Sequence, residues 1–501
     1  MPFAEHLAEQ ILSPTPNAFT DACFEHATQA VLDTVGVTLA GAVSETAKII
    51  ASTTPLGHGP CHIIGGSQQC DPLNAALLNG TAAHALDFDD MTQNMMGHPS
   101  VALVPALFAL GEQINASGRE ILKSYLIGFE TACKLGRAVT YAHHDKGWHG
   151  TATIGIFGAV AACCTLLKYD TTITAQALSI ATSLASGLRA NFGTMTKPLH
   201  AGHAGRNAIF ATLAAKEGFT ANTRAFESSQ GFFEVFLGTD IARPERALEK
   251  WYCPPEILDP GVCLKLYPSG AHTHPFIEMV RSLVTEHSLS IEMIERIEVL
   301  GEKSRHDYIN RPDPHSGLEA KWSIHYLLAR TLTDGWPKLS HFSDSATKAP
   351  NIRALMARVH AKAHPDMDAT WADKYGAEYN ALDEVDRISI NNTVTQKAIE
   401  MVAKSEGAVL KTVVHGQGGW KQYSNPSSVM EGLVTFDTAR KVASRLGYLL
   451  NQTEVLVNQS KPLTKNAENF GLMIVAKGGE LCLSKLPGPV AHGMGPGFGE
   501  E

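Results

Sequence analysis

Charge is scarce in this chain. Asp, Glu, Lys and Arg make up only 18% of its 501 residues, the net charge is −9, and no run of Lys or Arg occurs. Without a basic patch, nucleic acid and an anionic membrane surface are not expected as partners. A small anion held by a few local cations remains open. Paired cysteine motifs are also missing. The nine cysteines (Cys23, Cys61, Cys70, Cys133, Cys163, Cys164, Cys253, Cys263 and Cys482) are odd in number and include no CxxC, so a reduced, cytoplasmic protein with buried thiols is expected. There is no HExxH and no Cys/His ligand spacing, so no metal is expected. There is no P-loop, no dinucleotide glycine fingerprint and no GxSxG elbow, so no cofactor is expected. No apolar run is long enough to span a bilayer. The longest, GIFGAVAACCTLL from Gly155, has the length of a buried core helix. The opening MPFAEHLAEQIL carries acidic residues and no basic stretch, unlike a signal peptide.

Hydrophobic residues reach 44% of the chain, which fits a well-buried globular enzyme, and its length predicts two domains. The densest chemistry lies in TAAHALDFDDMTQNMMGHPS, residues 81–100. Asp87, Asp89, Asp90, His84 and His98 crowd there between a small-residue helical run and an apolar one. A loop mounted on two packed helices is a good platform for a site. Taken alone, DFDD reads as a solvated acidic turn with a capping Asp90.

Along the chain, periodicity predicts helices over 4–11, 23–39, 43–52, 71–86, 101–113, 118–140, 151–168, 174–188 and 204–218, with 191–203 as a loop. To that point the chain reads as almost purely α. Near Tyr252 its character changes. CPPEILDPGV and KLYPSGAHTHP are breaker-rich, helices are predicted at 276–286 and 319–335, and strands at 294–302, 385–390 and 409–416. This predicts an α+β second domain over 254–421. A capped helix follows from Ser424 and returns to the first domain. LMIVAKGGELCLSK, from Leu472, reads as a hairpin with a Gly-Gly turn.

Further candidates sit in Gly-rich settings. His149, in GWHGT, precedes a helix, where it reads as a general acid or base or as a capping residue. Lys197, His200, His203 and Arg206 cluster in GTMTKPLHAGHAGRNA, where basic residues at a helix start make sense if they meet an anion. Lys265, His272 and His274 share KLYPSGAHTH, and Tyr326 lies on a helical face more typical of core.

In order, ALDFDD with GHPS, GWHG, GTMTKPLHAGHAGRNA, KLYPSGAHTH and AKWSIHYLLA with Asp334-Gly335 resemble the MmgE/PrpD family. That family includes methylcitrate dehydratases, cis-aconitate decarboxylases and an iminodisuccinate epimerase. The resemblance implies a mainly α fold: an all-helical domain, 1–253 and 422–458, with an inserted α+β lid, 254–421, and an active site in the cleft of a homodimer. Residues 459–501 are left as a C-terminal extension, and 362–409 match no part of the resemblance. Carried over residue by residue, it implies catalytic roles for Asp87, His98, His149, Lys197, Lys265 and Tyr326. Substrate contacts are implied for Thr92, His200, Arg206, His272 and His274. Two positions depart from the pattern. Met91 stands where the family often has Thr, with Thr92 next. Ser269 and Gly270 occupy the place where its decarboxylases carry a histidine, and His272 is the candidate substitute.

The chemistry expected is that of a cofactor-independent lyase on a small di- or tricarboxylate. Lysines and histidines neutralise the carboxylates and stabilise charge developing on the adjacent carbon, and an imidazole moves the proton. Losing hydroxide gives dehydration, and losing CO2 gives decarboxylation. Reprotonation on the other face gives epimerisation, as for iminodisuccinate. A non-catalytic binding protein on the same fold is the remaining alternative.

Overall fold

The computed structural model describes residues 1–14, 17–301, 303–363, 470–476 and 482–485, and they form a mainly α protein. The predicted strands at 385–390 and 409–416 and the helix from Ser424 lie outside the described residues. The chain divides into two compact units, Met1–Lys265 and Leu266 onward.

The first unit is built from helices α1 (Phe3–Leu12), α2 (Asp21–Ala42), α3 (Glu45–Thr53), α4 (Pro72–His84), α5 (Ser100–Ile114) and α6 (Gly118–Asp145). They continue with α7 (Gly150–Thr153), α8 (Gly155–Leu166), α9 (Thr171–Thr182), α10 (Thr196–Lys216) and α11 (Phe232–Phe236). A two-residue ladder joins β1 (Cys61–His62) to β2 (Gln69–Cys70). Helix α4 starts at Asp71, whose side chain accepts the N–H groups of Leu73 and Asn74, and Pro72 fills the first turn, where a missing N–H costs nothing. It is buried over almost its whole length, as a helix at the centre of a bundle must be, and its buried polar residues are Asn79, Thr81 and His84.

Two glycines set how closely that centre packs. A Cβ on Gly202 of α10 would lie 2.2 Å from the Leu77 carbonyl oxygen of α4, and one on Gly80 would lie 2.7 Å from the Gly202 Cα. The backbones of α4 and α10 therefore touch. This contact brings the start of α10 beside the loop that leaves α4.

The expectation of a loop over 191–203 is corrected. Helix α10 begins at Thr196, so Lys197, His200 and His203 lie in its first turns. Pro198 falls within the first turn, where proline fits a helix, and so does not break it. The predicted helix at 151–168 is split at Ile154 into α7 and α8.

In the second unit, helices α12 (His274–Glu286), α13 (Lys303–Ile309), α14 (Gly317–Ala320), α15 (Ile324–Asp334) and α16 (Pro350–Met356) accompany a four-stranded sheet. Its strands β3 (Ile294–Gly301), β4 (Val359–Ala363), β5 (Phe470–Ala476) and β6 (Cys482–Lys485) run in the order β4-β3-β5-β6. β3 and β4 are parallel, with Ile297 opposite Val359, whereas β5 is antiparallel to β3 and to β6. The predicted strand from Ile294 is present, and the two arms of the predicted C-terminal hairpin pair antiparallel. The turn between those arms lies outside the described residues. The core of this unit includes Phe276, Val280, Leu283, Ile297, Val299, Ile324 and Leu328.

Candidate active site

The loop leaving α4 turns sharply at Asp87, whose φ of 51° is left-handed, a conformation that aspartate tolerates better than most residues. Two backbone hydrogen bonds tie the next part of the loop to a distant segment. The Met91 N–H donates to the Cys263 carbonyl (2.9 Å) and the Cys263 N–H to the Met91 carbonyl (2.7 Å). Lys265 follows two residues later, which carries it onto the Asp87 loop.

Asp87 is the hub of a buried cation pair. Its Oδ1 accepts from Lys197 Nζ at 2.8 Å and from Lys265 Nζ at 2.5 Å, and Lys265 also donates to the Asp87 carbonyl at 2.9 Å. All three side chains are at most 5% exposed. Burial pushes the Asp87 carboxyl up, but Lys197 and Lys265 override it and hold the group well below the usual carboxylate range. Burial in turn lowers the Lys197 ammonium, and Asp87 opposes that shift. Lys197 also lies 5.3 Å from the centre of the Phe192 ring. Asp87 Oδ2 has no hydrogen-bond partner among the described residues.

Beside this pair lies a cluster of imidazoles. Asp89, fully buried, accepts from His84 Nδ1 at 2.8 Å and His98 Nδ1 at 3.0 Å, and His98 Nδ1 also faces the Asp90 carbonyl at 2.8 Å. His149 caps α7, its N–H bound to the Gly187 carbonyl at 3.0 Å. Its ring stacks on His84 (5.6 Å, 20°), meets Phe192 edge-on (4.9 Å) and places Nδ1 3.1 Å from His200 Nδ1. Burial depresses all four imidazoles: His84 to about 3, His200 to about 4, His98 below its ordinary value and His149 well below it. They are neutral near pH 7. His84 Nε2 and His149 Nε2 are buried and have no hydrogen-bond partner among the described residues.

Behind the loop, the Asp90 carboxyl is raised well above its usual range by burial and by Asp33. It is bonded by the backbone N–H and the hydroxyl of Ser100, and that hydroxyl lies 2.7 Å from the Tyr125 hydroxyl. Asp33, on α2, is pushed up to about 7 by burial and by Asp89. Sequence reasoning does not find Asp33. Its one signal is an acid inside the apolar run VLDTVGVTLA, and nothing in that run says what it faces.

The ligand atoms of His84, Asp89 and His98 lie within 4.8 Å of one another, close enough to hold a metal ion. The Nδ1 atoms of both imidazoles are already engaged by the Asp89 carboxylate, and that of His98 by the Asp90 carbonyl as well, so an ion would have to approach through Nε2 for those bonds to survive.

The structure thus brings Asp87, His98, His149, Lys197, His200 and Lys265 together. It does not bring in two other predicted contacts. The Thr92 hydroxyl, fully buried, donates to the Gly261 carbonyl at 2.9 Å and so pins the loop. Arg206 is half-buried further along α10, where its charge acts on His203. The remaining three belong to the second unit. His272 stacks on Tyr308 (5.9 Å), and His274 opens α12 against the edge of Tyr267 (5.1 Å). The Tyr326 hydroxyl is engaged by the His341 carbonyl and by Arg330 Nε. At the departing position, a Cβ on Gly270 would lie 2.7 Å from the Trp322 ring, so that position has little room for a side chain. A cavity of about 470 Å³ in the second unit, lined by Asn310, His325 and Arg353 among others, holds none of the residues predicted to carry the chemistry.

Comparison with known proteins agrees with the sequence motifs. The MmgE/PrpD N-terminal domain matches residues 5–245 and the MmgE/PrpD C-terminal domain residues 267–407. The second match corrects the expectation that 362–409 has no family counterpart, since it extends through 407. Similar proteins include the cis-aconitate decarboxylase of Homo sapiens, 29% identical over 361 residues, covering 69% of this chain and 74% of that one. The cis-aconitate decarboxylase of Aspergillus terreus is 26% identical over 372 residues, covering 69% and 75%. The cis-aconitate decarboxylase-like protein oryM of Aspergillus oryzae is 33% identical over 198 residues, covering 38% and 41%. With both of its domains matched in order, this chain belongs to the MmgE/PrpD family.

Proposed function

We propose that this protein is a cofactor-independent lyase that removes CO2, or alternatively water, from a small di- or tricarboxylate of the aconitate type. The observation that carries the reading is the Asp87–Lys197–Lys265 triad set beside neutral, buried imidazoles. Two ammonium groups held by one carboxylate can turn toward a polyanion, and a fixed positive field stabilises the charge that develops on carbon when a carboxylate or hydroxide leaves. A neutral imidazole within that field gains a proton once the polyanion arrives and can deliver it to the new carbanion. The names of the similar proteins favour decarboxylation over dehydration. His98, His149 and His200 are assigned to proton transfer or its support, and Lys197 and Lys265 to carboxylate binding. Tyr326, His272 and His274 are proposed contributors from the second unit.

The same reading takes 254–421 as a lid domain and 1–253 with 422–458 as the helical domain, in a cytoplasmic homodimer. The free thiols of the first unit, all buried except Cys253, support a reducing setting. Size-exclusion chromatography with light scattering tests the dimer, and a monomer mass would remove it.

The deciding experiment is proton NMR in D2O with EDTA throughout, on cis-aconitate, citrate, 2-methylcitrate and iminodisuccinate. A new vinyl or methylene product identifies the bond broken. Deuterium appearing at a stereocentre with the skeleton retained would replace the lyase with an epimerase. Tight binding without conversion on the whole panel would leave a binding protein.

A further inference from the structure

Two imidazoles of the first unit share one carboxylate, and the consequence is a fixed tautomer. The Nδ1 of His98 faces both Asp89 Oδ2 and the Asp90 carbonyl, an oxygen that can only accept, so Nδ1 carries the proton. The Nδ1 of His84 lies 2.9 and 2.8 Å from the two oxygens of Asp89, whose carboxylate is kept ionised by the imidazole donors around it. His84 is therefore protonated at Nδ1 as well, and a neutral ring then leaves Nε2 bare.

That bare nitrogen is buried and unpartnered among the described residues. His143 also has an orphaned nitrogen, but its ring is caged by Trp148, Phe232 and Phe236. His84 instead has its ring centre 4.7 Å from that of His98 and 5.6 Å from that of His149, with the charges of Asp87, Asp89 and Lys197 acting around it. A buried nitrogen lone pair left without a donor is costly in a finished core and useful where a proton must be taken up.

We propose that His84 is a further proton carrier of this site, its Nε2 kept bare by Asp89. The proposal rests on the lyase reading. When a polycarboxylate enters, His84 Nε2 takes one proton from solvent and becomes an imidazolium with N–H at both nitrogens, balanced by Asp89. The C–C bond to the departing carboxylate then breaks, its electron pair stays on the carbon, and CO2 leaves. The Nε2–H bond breaks toward that carbon, and His84 returns to its neutral form. One proton is consumed for each CO2 released, and solvent replaces it.

The competing role is purely positional, with His84 propping Asp89 so that Asp89 can hold His98. His84→Asn separates the two, because an asparagine amide can reproduce the Nδ1–H donor but has no Nε2. In the full-length protein with ¹⁵N-labelled histidine, long-range proton–nitrogen spectra should show His84 as the Nδ1–H tautomer, identified by the signal lost in His84→Asn. An Nε2–H tautomer overturns the proposal. With cis-aconitate, His84→Asn should lower kcat by about a hundredfold or more while KM changes little, and should remove one ionisation from the pH profile. Turnover within a few-fold of the parent overturns it and leaves a positioning residue. If the parent converts none of the polycarboxylates, the lyase reading fails separately. Calorimetry of cis-aconitate binding in buffers of different ionisation enthalpy then decides. One proton fewer taken up by His84→Asn supports the proposal, and equal uptake, or no binding to the parent, overturns it.

Discussion

Removing Lys197 would leave Asp87 paired one-to-one with Lys265, so no uncompensated charge would be buried. Lys197→Ala should therefore keep most of the protein's stability while reducing turnover, by about a hundredfold or more if the ammonium stabilises the transition state. Unchanged turnover in a folded Lys197→Ala protein would remove Lys197 from the chemistry. His149→Ala, by contrast, deletes a buried ring that packs on His84 and Phe192 and faces His200, so turnover should collapse together with a cavity cost of about 2–5 kcal/mol. At this scale the sequence is informative about residue type and poor about partners. Lys197 and Lys265 both stand out in it, yet nothing in either motif says that one Asp87 oxygen holds both across separations of 110 and 178 residues. Thr92 follows the acidic loop and so reads as a substrate contact. Its hydroxyl is committed to Gly261, a partner 169 residues away.

The elements that place these residues depend on close backbone approach. Gly202→Ala would drive a Cβ into the Leu77 carbonyl, and α10 would have to move away from α4. Because Lys197 and His200 ride on the first turns of α10, the expected result is a loss of turnover well beyond that of Gly218→Ala. Gly218 sits past the end of the same helix with nothing within 4 Å of an added Cβ, although its φ of +86° brings a strain of its own. Equal turnover in the two variants would show that helix placement does not control the site. Glycine in a helix normally counts against a helical reading, and the density of small residues here signals crowding instead. Boundaries are harder to read. Pro198 looks like a breaker and is a first-turn residue, so the helix starts at Thr196, well before the periodic apolar pattern begins.

For the whole molecule, buried titratable groups set how stability varies with pH. His84 and His143 are held at about 3 and His200 at about 4, with His98 and His149 also depressed, against about 6.5 in an unfolded chain. Below pH 6.5 the unfolded chain binds protons that the folded chain does not, so these groups make stability fall as pH falls. Asp33 and Glu130, raised to about 7, and Asp90, raised well above its usual range, act in the opposite sense, because the folded chain keeps their protons above pH 4.5. With His203, His325 and His341 also lowered, the depressed histidines among the described residues outweigh the three raised acids. Below about 4 the acids are protonated in both states and cease to offset the histidines. The melting temperature should decline gently from pH 6.5 to 4.5 and steeply below that. A melting temperature constant from pH 6.5 down to 4 would contradict it. The same neutral imidazoles predict proton uptake when a polycarboxylate binds, so affinity should strengthen as pH is lowered from 7.5 toward 6.5, measured by calorimetry.

The order of motifs, the helical character of the first half and the change of character after Tyr252 were determined by the sequence alone, because they rest on local periodicity, breakers and residue type. So was the window that holds His84, Asp87, Asp89 and His98, which are close in space partly because they are close in the chain. Among the described residues, no helix is long and apolar enough to cross a membrane, as the distribution of apolar runs implied. The tertiary structure alone decided that α2 brings Asp33 behind the acidic loop, that a bridge from Met91 to Cys263 delivers Lys265, and that His149 meets His200. These are long-range contacts between groups whose local sequence is compatible with many partners. Which proton sits on which nitrogen is decided later still, by whether an oxygen within 3 Å can donate or only accept.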